Sequence, residues 1–239
     1  SGLILGLFEF KNKNYSKAKL YFQELEPNIE NQLIFEPLKI SLINWSEIMI
    51  SNKIEDIDLI KSMSKNFGSF KSIQEIFAYC YFDTPEVDQR FTEVIKDESG
   101  KFYRYNFFFA NYLIKKNRKK EAESIVDLTI KKYPRNLLIN QLKENIKKNN
   151  KNKNKFSCQK PEDILAEIFY AFANALSVQK RYELSNLYIN FSKYLNPNFK
   201  SYNALFAENL LMLNKYENSK NIFEELVEVG SFYKWHASK

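Results

Sequence analysis

The side chains able to do chemistry are few and scattered in this 239-residue chain. A single histidine, His236, stands near the end. It lacks the aspartate, serine or cysteine neighbours that would build a nucleophilic triad or a zinc site around an imidazole, so it reads as a surface residue. The two cysteines, Cys80 and Cys158, lack CxxC spacing. Cys80 sits in the apolar run FAYCYF, where a thiol behaves as a small buried hydrophobe, and Cys158 lies in a polar stretch. Whether they pair depends on whether folding brings them together, which spacing leaves open. Paired carboxylates occur at Glu24 with Glu26 and at Glu224 with Glu225. They alternate with lysines as on solvated helix faces, whereas acid–base work needs a carboxyl stranded in an apolar setting. No GxGxxG, GKS or GKT is present to cradle a phosphate. The chain therefore reads as no enzyme, with no cofactor and no metal.

Composition says what could position such residues. Five Gly and six Pro compare with roughly 17 and 12 at average usage, too few turn residues for a sandwich or barrel. Hydrophobic residues at 44% and charged residues at 27% are globular values, which exclude wholesale disorder. What remains is a chain of helices joined by short connections.

Charge is unevenly placed. Residues 101–160 hold 17 Lys or Arg against 4 Asp or Glu, within a net charge of +7 for the whole chain. A basic middle could attract nucleic acid, anionic lipid or an acidic protein surface. Only five of the 36 basic residues are Arg, and readout of phosphates and bases prefers the guanidinium fork. A solvated Lys/Asn-rich surface is the favoured reading, and a nucleic-acid partner the less favoured one. The opening GLILGLFEF meets Lys11 too soon to span a bilayer and lacks the features of a secretory signal. No transmembrane segment is expected; the chain reads as soluble, and both its ends look cut.

The strongest pattern is a recurrence at 34 residues. Tyr182 and Tyr216 are 34 apart; nine residues before them stand Ala173 and Ala207, six before stand Leu176 and Leu210, and three after stand Ser185 and Ser219. The same template fits Tyr15, with Gly6 before it and Ala18 and Phe22 after it. It fits again at Lys119, with Ala110 and Leu113 before it and Ala122, Val126 and Pro134 after it. Small residues at two fixed places let paired helices approach closely, while apolar residues at i, i+3 and i+4 fill the seam. One such hairpin cannot bury its own apolar face, so neighbours must stack. The aromatics recur at these seams, where core packing outweighs a base-stacking role.

The stretches LGLFEFKNKNYSKAKLYFQEL, FANYLIKKNRKKEAESIVDLTIKKYP, FANALSVQKRYELSNLYINFSKYLNP and FAENLLMLNKYENSKNIFEEL resemble the tetratricopeptide repeat (TPR) family. Ser at 185 and 219, Lys at 119 and Glu9 depart from its pattern. The resemblance implies an all-α fold, an α-solenoid of stacked antiparallel helical hairpins with a TPR-like superhelix. Hairpins are expected at about 1–26, 32–64, 70–97, 101–133, 162–196 and 200–229, with Gly68, Gly100 and Gly230 at connections. Pro37 starts or bends a helix, and Pro85 starts one. Residues 136–148 read as a single unpaired helix. KNNKNKNKFSCQKPED, with no apolar periodicity, reads as an exposed, mobile connection. This divides the chain into 1–148, a Lys/Asn-rich loop at 149–160, and 161–239 with the start of a further helix. The chain is similar to multi-repeat bacterial TPR proteins; some carry an export signal, which leans the compartment towards periplasmic, and cytoplasmic otherwise.

By the same resemblance, the first helix of each hairpin lines a concave groove that takes a peptide. The corresponding places are Arg104, Phe107, Asn111, Ile114 and Lys115 on one hairpin. On the next they are Glu167, Tyr170, Asn174 and Ser177, and on the last Glu208, Leu211 and Met212. Asn111 and Asn174 occupy equivalent places, where an amide can clamp a backbone without choosing its sequence. The function so implied is a non-catalytic scaffold binding a protein or peptide as part of a multi-protein complex. The alternatives are an RNA-associated repeat protein using the basic 101–155 region, and the docking arm of a larger enzyme.

Overall fold

The computed structural model describes residues 2–27, 32–96 and 103–238, and among these every regular element is helical, with one isolated antiparallel bridge between Asn154 and Phe199. In order the helices are α1 (Gly2–Lys11), α2 (Tyr15–Gln23), α3 (Gln32–Ser51), α4 (Ile57–Lys61), α5 (Ser69–Tyr81), α6 (Val87–Ile95) and α7 (Tyr103–Lys115). There follow α8 (Lys119–Lys132), α9 (Leu137–Lys148), α10 (Pro161–Val178), α11 (Tyr182–Leu195), α12 (Tyr202–Met212), α13 (Tyr216–Val227) and α14 (Ser231–Ala237). Gly100, expected at a connection, lies outside the described residues. The helix starting at Pro85 instead begins at Val87. Among the described residues no helix is long and apolar enough to cross a membrane.

The hairpins share one turn. Lys13, Asp83, Asn117, Lys180 and Asn214 all have left-handed backbone, with φ between 53° and 66°. In each case the next N–H reaches back five residues: Asn14 to Glu9, Thr84 to Tyr79, Arg118 to Leu113, Arg181 to Leu176, and Lys215 to Leu210, at 2.8 to 3.2 Å. This bond ends the first helix by satisfying a carbonyl that has lost its helical donor. The turn before α6 thus matches those of the regular hairpins, and Pro85 stands 34 residues ahead of Lys119.

The small places meet as the repeat requires. Gly6, Ala18, Ala110, Ala122, Ala173, Ser185, Ala207 and Ser219 are all buried. The serines are accommodated by bonding across the seam: Ser185 Oγ donates to the Ala173 carbonyl at 2.7 Å and Ser219 Oγ to the Ala207 carbonyl at 2.8 Å, each twelve residues back. Gly6 lies so close to α2 that a Cβ there would stand 2.3 Å from the Phe22 ring.

Two compact units emerge, residues 1–87 with 158–168, and residues 88–157 with 169–239. In the first, α1 packs on α2, α2 on α3 and α4 on α5, around Phe10, Phe22, Leu42, Trp45 and Phe77. The buried Trp45 Nε1 donates to Gln74 Oε1 at 2.6 Å. Glu9, which takes a leucine's place in the repeat, is buried because Asn14 and Lys17 donate to its carboxylate at 2.8 and 2.5 Å. Those two groups, Lys17 foremost, hold the carboxyl below its usual range. α3 begins at Gln32 and continues through Pro37, which sits early enough to remove only one helical bond. Cys80 and Cys158 form a disulfide that joins the two stretches of this unit across 78 residues.

In the second unit α7 packs on α8, both pack on α9, and α11, α12, α13 and α14 pack in succession. α9 is not unpaired, as its sequence implies, because α14 also packs on it. At that contact Phe232 N–H donates to Gln141 Oε1, and Gly230 has φ +155°, a backbone conformation that L side chains rarely adopt, with a Cβ there falling 2.2 Å from the Gln141 side chain.

Candidate functional site

Of the five expected groove residues of α7, Arg104, Asn111 and Lys115 fall on a different face from Phe107. Arg104, Asn111 and Lys115 share a stripe with Phe108 at i, i+4, i+7 and i+11, the spacing of one helix face. Phe107 points away and is core, 1% exposed, with its ring edge-on to Phe199.

That stripe faces other parts of its own unit. The Arg104 guanidinium lies over the Tyr170 ring at 4.0 Å and over those of Phe199, Phe108 and Tyr202 at 5.1, 5.6 and 5.8 Å. A cation held against aromatic faces away from bulk water gains more than an exposed pair does. Beneath this cluster the buried Tyr233 hydroxyl bonds Ser201 Oγ. Burial pushes the Tyr233 phenol up to about 12, against the opposing effects of the Ser201 bond and the Arg104 charge.

The rest of the stripe holds residues 152–156, and here the structure corrects the expectation that the connection is exposed throughout. The segment contains no helix, but Asn154 and Phe156 are only 2% and 7% exposed. Asn152 Nδ2 donates to Asn111 Oδ1 at 3.0 Å, while Asn111 Nδ2 donates to the Phe107 carbonyl. Lys115 Nζ donates to the Phe156 carbonyl at 3.2 Å, and Asn196 Nδ2 to the Lys155 carbonyl at 2.9 Å. From the α11–α12 connection, Asn198 O accepts from Lys155 N–H at 3.0 Å and Ser201 N–H donates to Asn154 Oδ1 at 2.8 Å. Phe156 packs on Phe108 with ring centroids 4.1 Å apart.

The legible signal was the alternation itself. KNKNKF places Asn152, Asn154 and Phe156 on one side of an extended strand and Lys151, Lys153 and Lys155 on the other. A search for apolar periodicity passes over it because two of the inward residues are amides. Asn196, Phe199 and Tyr202 were missed for another reason: they lie at and just after the connection between hairpins, outside the helix faces that the repeat singles out.

The remaining expected residues fall into an open set and a buried one. Asn174, with its neighbour Val178 at 77% exposed, lies on α10; Glu208, Leu211 and Met212, the last at 60%, lie on α12. Ser177 Oγ donates to Asn209 Oδ1 at 2.6 Å, which ties these two helices together. Asn209 in turn donates to Ser185 Oγ and Asn186 Oδ1, so this buried amide is satisfied rather than available. Ile114 is half-buried, and Glu167 is buried within the first unit. His236 Nε2 lies 3.3 Å from Glu208 Oε1, and its imidazole stands edge-on to Phe223.

No family model, curated protein or solved structure matches the chain. Among the described residues no group of three or more His, Cys, Asp or Glu is arranged to hold a metal ion. The chemistry the arrangement offers is recognition: amide and ammonium donors directed at backbone carbonyls, an aromatic seat, and exposed apolar and polar side chains on α10 and α12.

Proposed function

We propose that this chain is a non-catalytic helical-repeat scaffold, a TPR-like α-solenoid, that binds an extended peptide segment of a protein partner. The observation that carries this reading is the grip on the Lys155–Phe156 backbone by the Asn196 amide and the Lys115 ammonium. Side chains that bond main-chain carbonyls give affinity without dictating sequence, which is how extended peptides are held by other domains. The exposed row formed by Asn174, Val178, Glu208 and Met212 offers the free surface for such a segment, with apolar atoms for burial and an amide and a carboxylate for register. The Cys80–Cys158 disulfide favours an oxidising compartment, in keeping with an exported protein.

The test is selection from a displayed peptide library on the intact chain, set against a Val178→Asp, Met212→Asp double variant. Both sites are exposed, so the variant should keep the helical spectrum and melting curve of the parent. The expected result is a peptide consensus enriched on the parent and lost on the variant. Enrichment that is absent on the parent, or unchanged on the variant, counts against the reading.

A further inference from the structure

Residues 151–157 have the form of a bound peptide rather than of a linker. Side chains alternate in and out along the segment, and apart from Asn154 N–H, which donates to Asn152 Oδ1 within it, the backbone bonds run to its surroundings: to the Asn198 carbonyl from Lys155 N–H, and from Asn196 and Lys115 side chains to the Lys155 and Phe156 carbonyls. Asn154 pairs with Phe199 as an antiparallel bridge, the beginning of strand addition to a partner backbone. Each inward side chain has a seat. Asn152 meets the Asn111 amide, Asn154 Oδ1 takes the Ser201 N–H, and Phe156 packs against the Phe108 and Phe199 rings at 4.1 and 6.4 Å, completing a three-ring cluster.

We infer that the α7 face and the α11–α12 connection form a recognition site for an extended amide-x-amide-x-aromatic segment, filled here in cis by Asn152–Phe156, so that a partner segment of that pattern enters only by displacing it. This rests on the peptide-binding reading above and adds the chemistry of the ligand. The seats explain the pattern. Asn152 supplies a donor to Asn111 Oδ1 and Asn154 an acceptor to the Ser201 N–H, roles that one amide type fills at both places, and the aromatic pair accepts a ring of matching size. A tethered occupant competes at an effective concentration on the order of millimolar, which excludes a free copy of the same sequence from the intact chain.

The experiment replaces 151–157 in the full chain with Gly and Ser at equal length, leaving Cys158 in place, and titrates a labelled synthetic peptide Lys151–Ser157. The replaced chain should bind the peptide saturably and at least tenfold more tightly than the intact chain, and Phe156→Ala in the peptide should weaken that binding at least tenfold. No binding by a replaced chain that keeps its helical spectrum, or equal binding by both chains, overturns the inference. Should the replaced chain fail to fold, hydrogen exchange on the intact chain decides. Lys155 N–H exchanging at least tenfold faster than the mid-α7 amides supports a displaceable occupant, and equal rates make the segment inseparable core and overturn it. Library selection on the intact chain reads the exposed α10 and α12 row instead, so the two ideas fail separately.

Discussion

Serine at 185 and 219 and glutamate at 9 depart from the repeat pattern, and each departure is locally satisfied. The two hydroxyls bond carbonyls across the helix seam, and Glu9 is neutralised and hydrogen-bonded by Lys17 and Asn14. A buried polar group costs little when its partner is already in place, and much when it is not. Tyr233 is the sharpest case, because its hydroxyl is fully buried and its phenol is pushed up to about 12 from 10. An acid whose folded value is raised keeps its full stabilisation below the unfolded value. That stabilisation is then lost as pH rises from 10 towards 12, since the unfolded chain releases the proton first. The shift corresponds to about 2–3 kcal/mol. Melting followed between pH 9 and 12 should therefore fall more steeply in the parent than in Tyr233→Phe, which has no proton there to lose. Equal slopes would show that the phenol is not held neutral by its surroundings.

The hairpin turn depends on one left-handed residue, and in two of the five turns that residue is Lys, at 13 and 180. An L side chain in that region meets the following carbonyl, a cost that glycine escapes. Lys180→Gly should raise the chain's stability by up to about 1 kcal/mol, with helical content unchanged, as read from chemical denaturation midpoints. A fall in the midpoint would mean that the lysine side chain contributes more than its backbone conformation costs. These turns also show where sequence reading reached its limit. Four hairpins were legible from paired small residues, but around the turn after α5 Ile76 and Asp88 stand at those places, and only its backbone follows the others. The segment 149–160 was legible as a connection by its lack of apolar residues. Its burial was not, because asparagines satisfied by neighbouring backbone enter a protein interior without an apolar signature.

The Cys80–Cys158 bond, with both its ends in the first unit, closes a loop of sequence separation 78. A cross-link stabilises chiefly by limiting the unfolded chain, and removing one that closes a long stretch costs about 2–5 kcal/mol. Paired Cys80→Ser and Cys158→Ser substitution, or simple reduction, should lower the melting temperature to a similar extent. Equal melting of reduced and oxidised chains would leave the bond without a stabilising role. The packing of α14 on α9 belongs to the same scale. Helices more than eighty residues apart in sequence are joined there through Gln141, Gly230 and Phe232, a contact that no local periodicity announces.

What the sequence determined by itself is everything with a short period: that the chain is helical, where most hairpins begin and end, and which small residues lie at their seams. Those follow from backbone geometry and burial repeating every few residues, which a linear reading can count. Tertiary structure alone decided that the cysteines meet, that Phe107 is core while Asn111 and Lys115 hold the chain's own backbone, and that α9 has a partner. Each of these depends on which distant surfaces come together, and their energies come from contacts between residues that share no period along the chain.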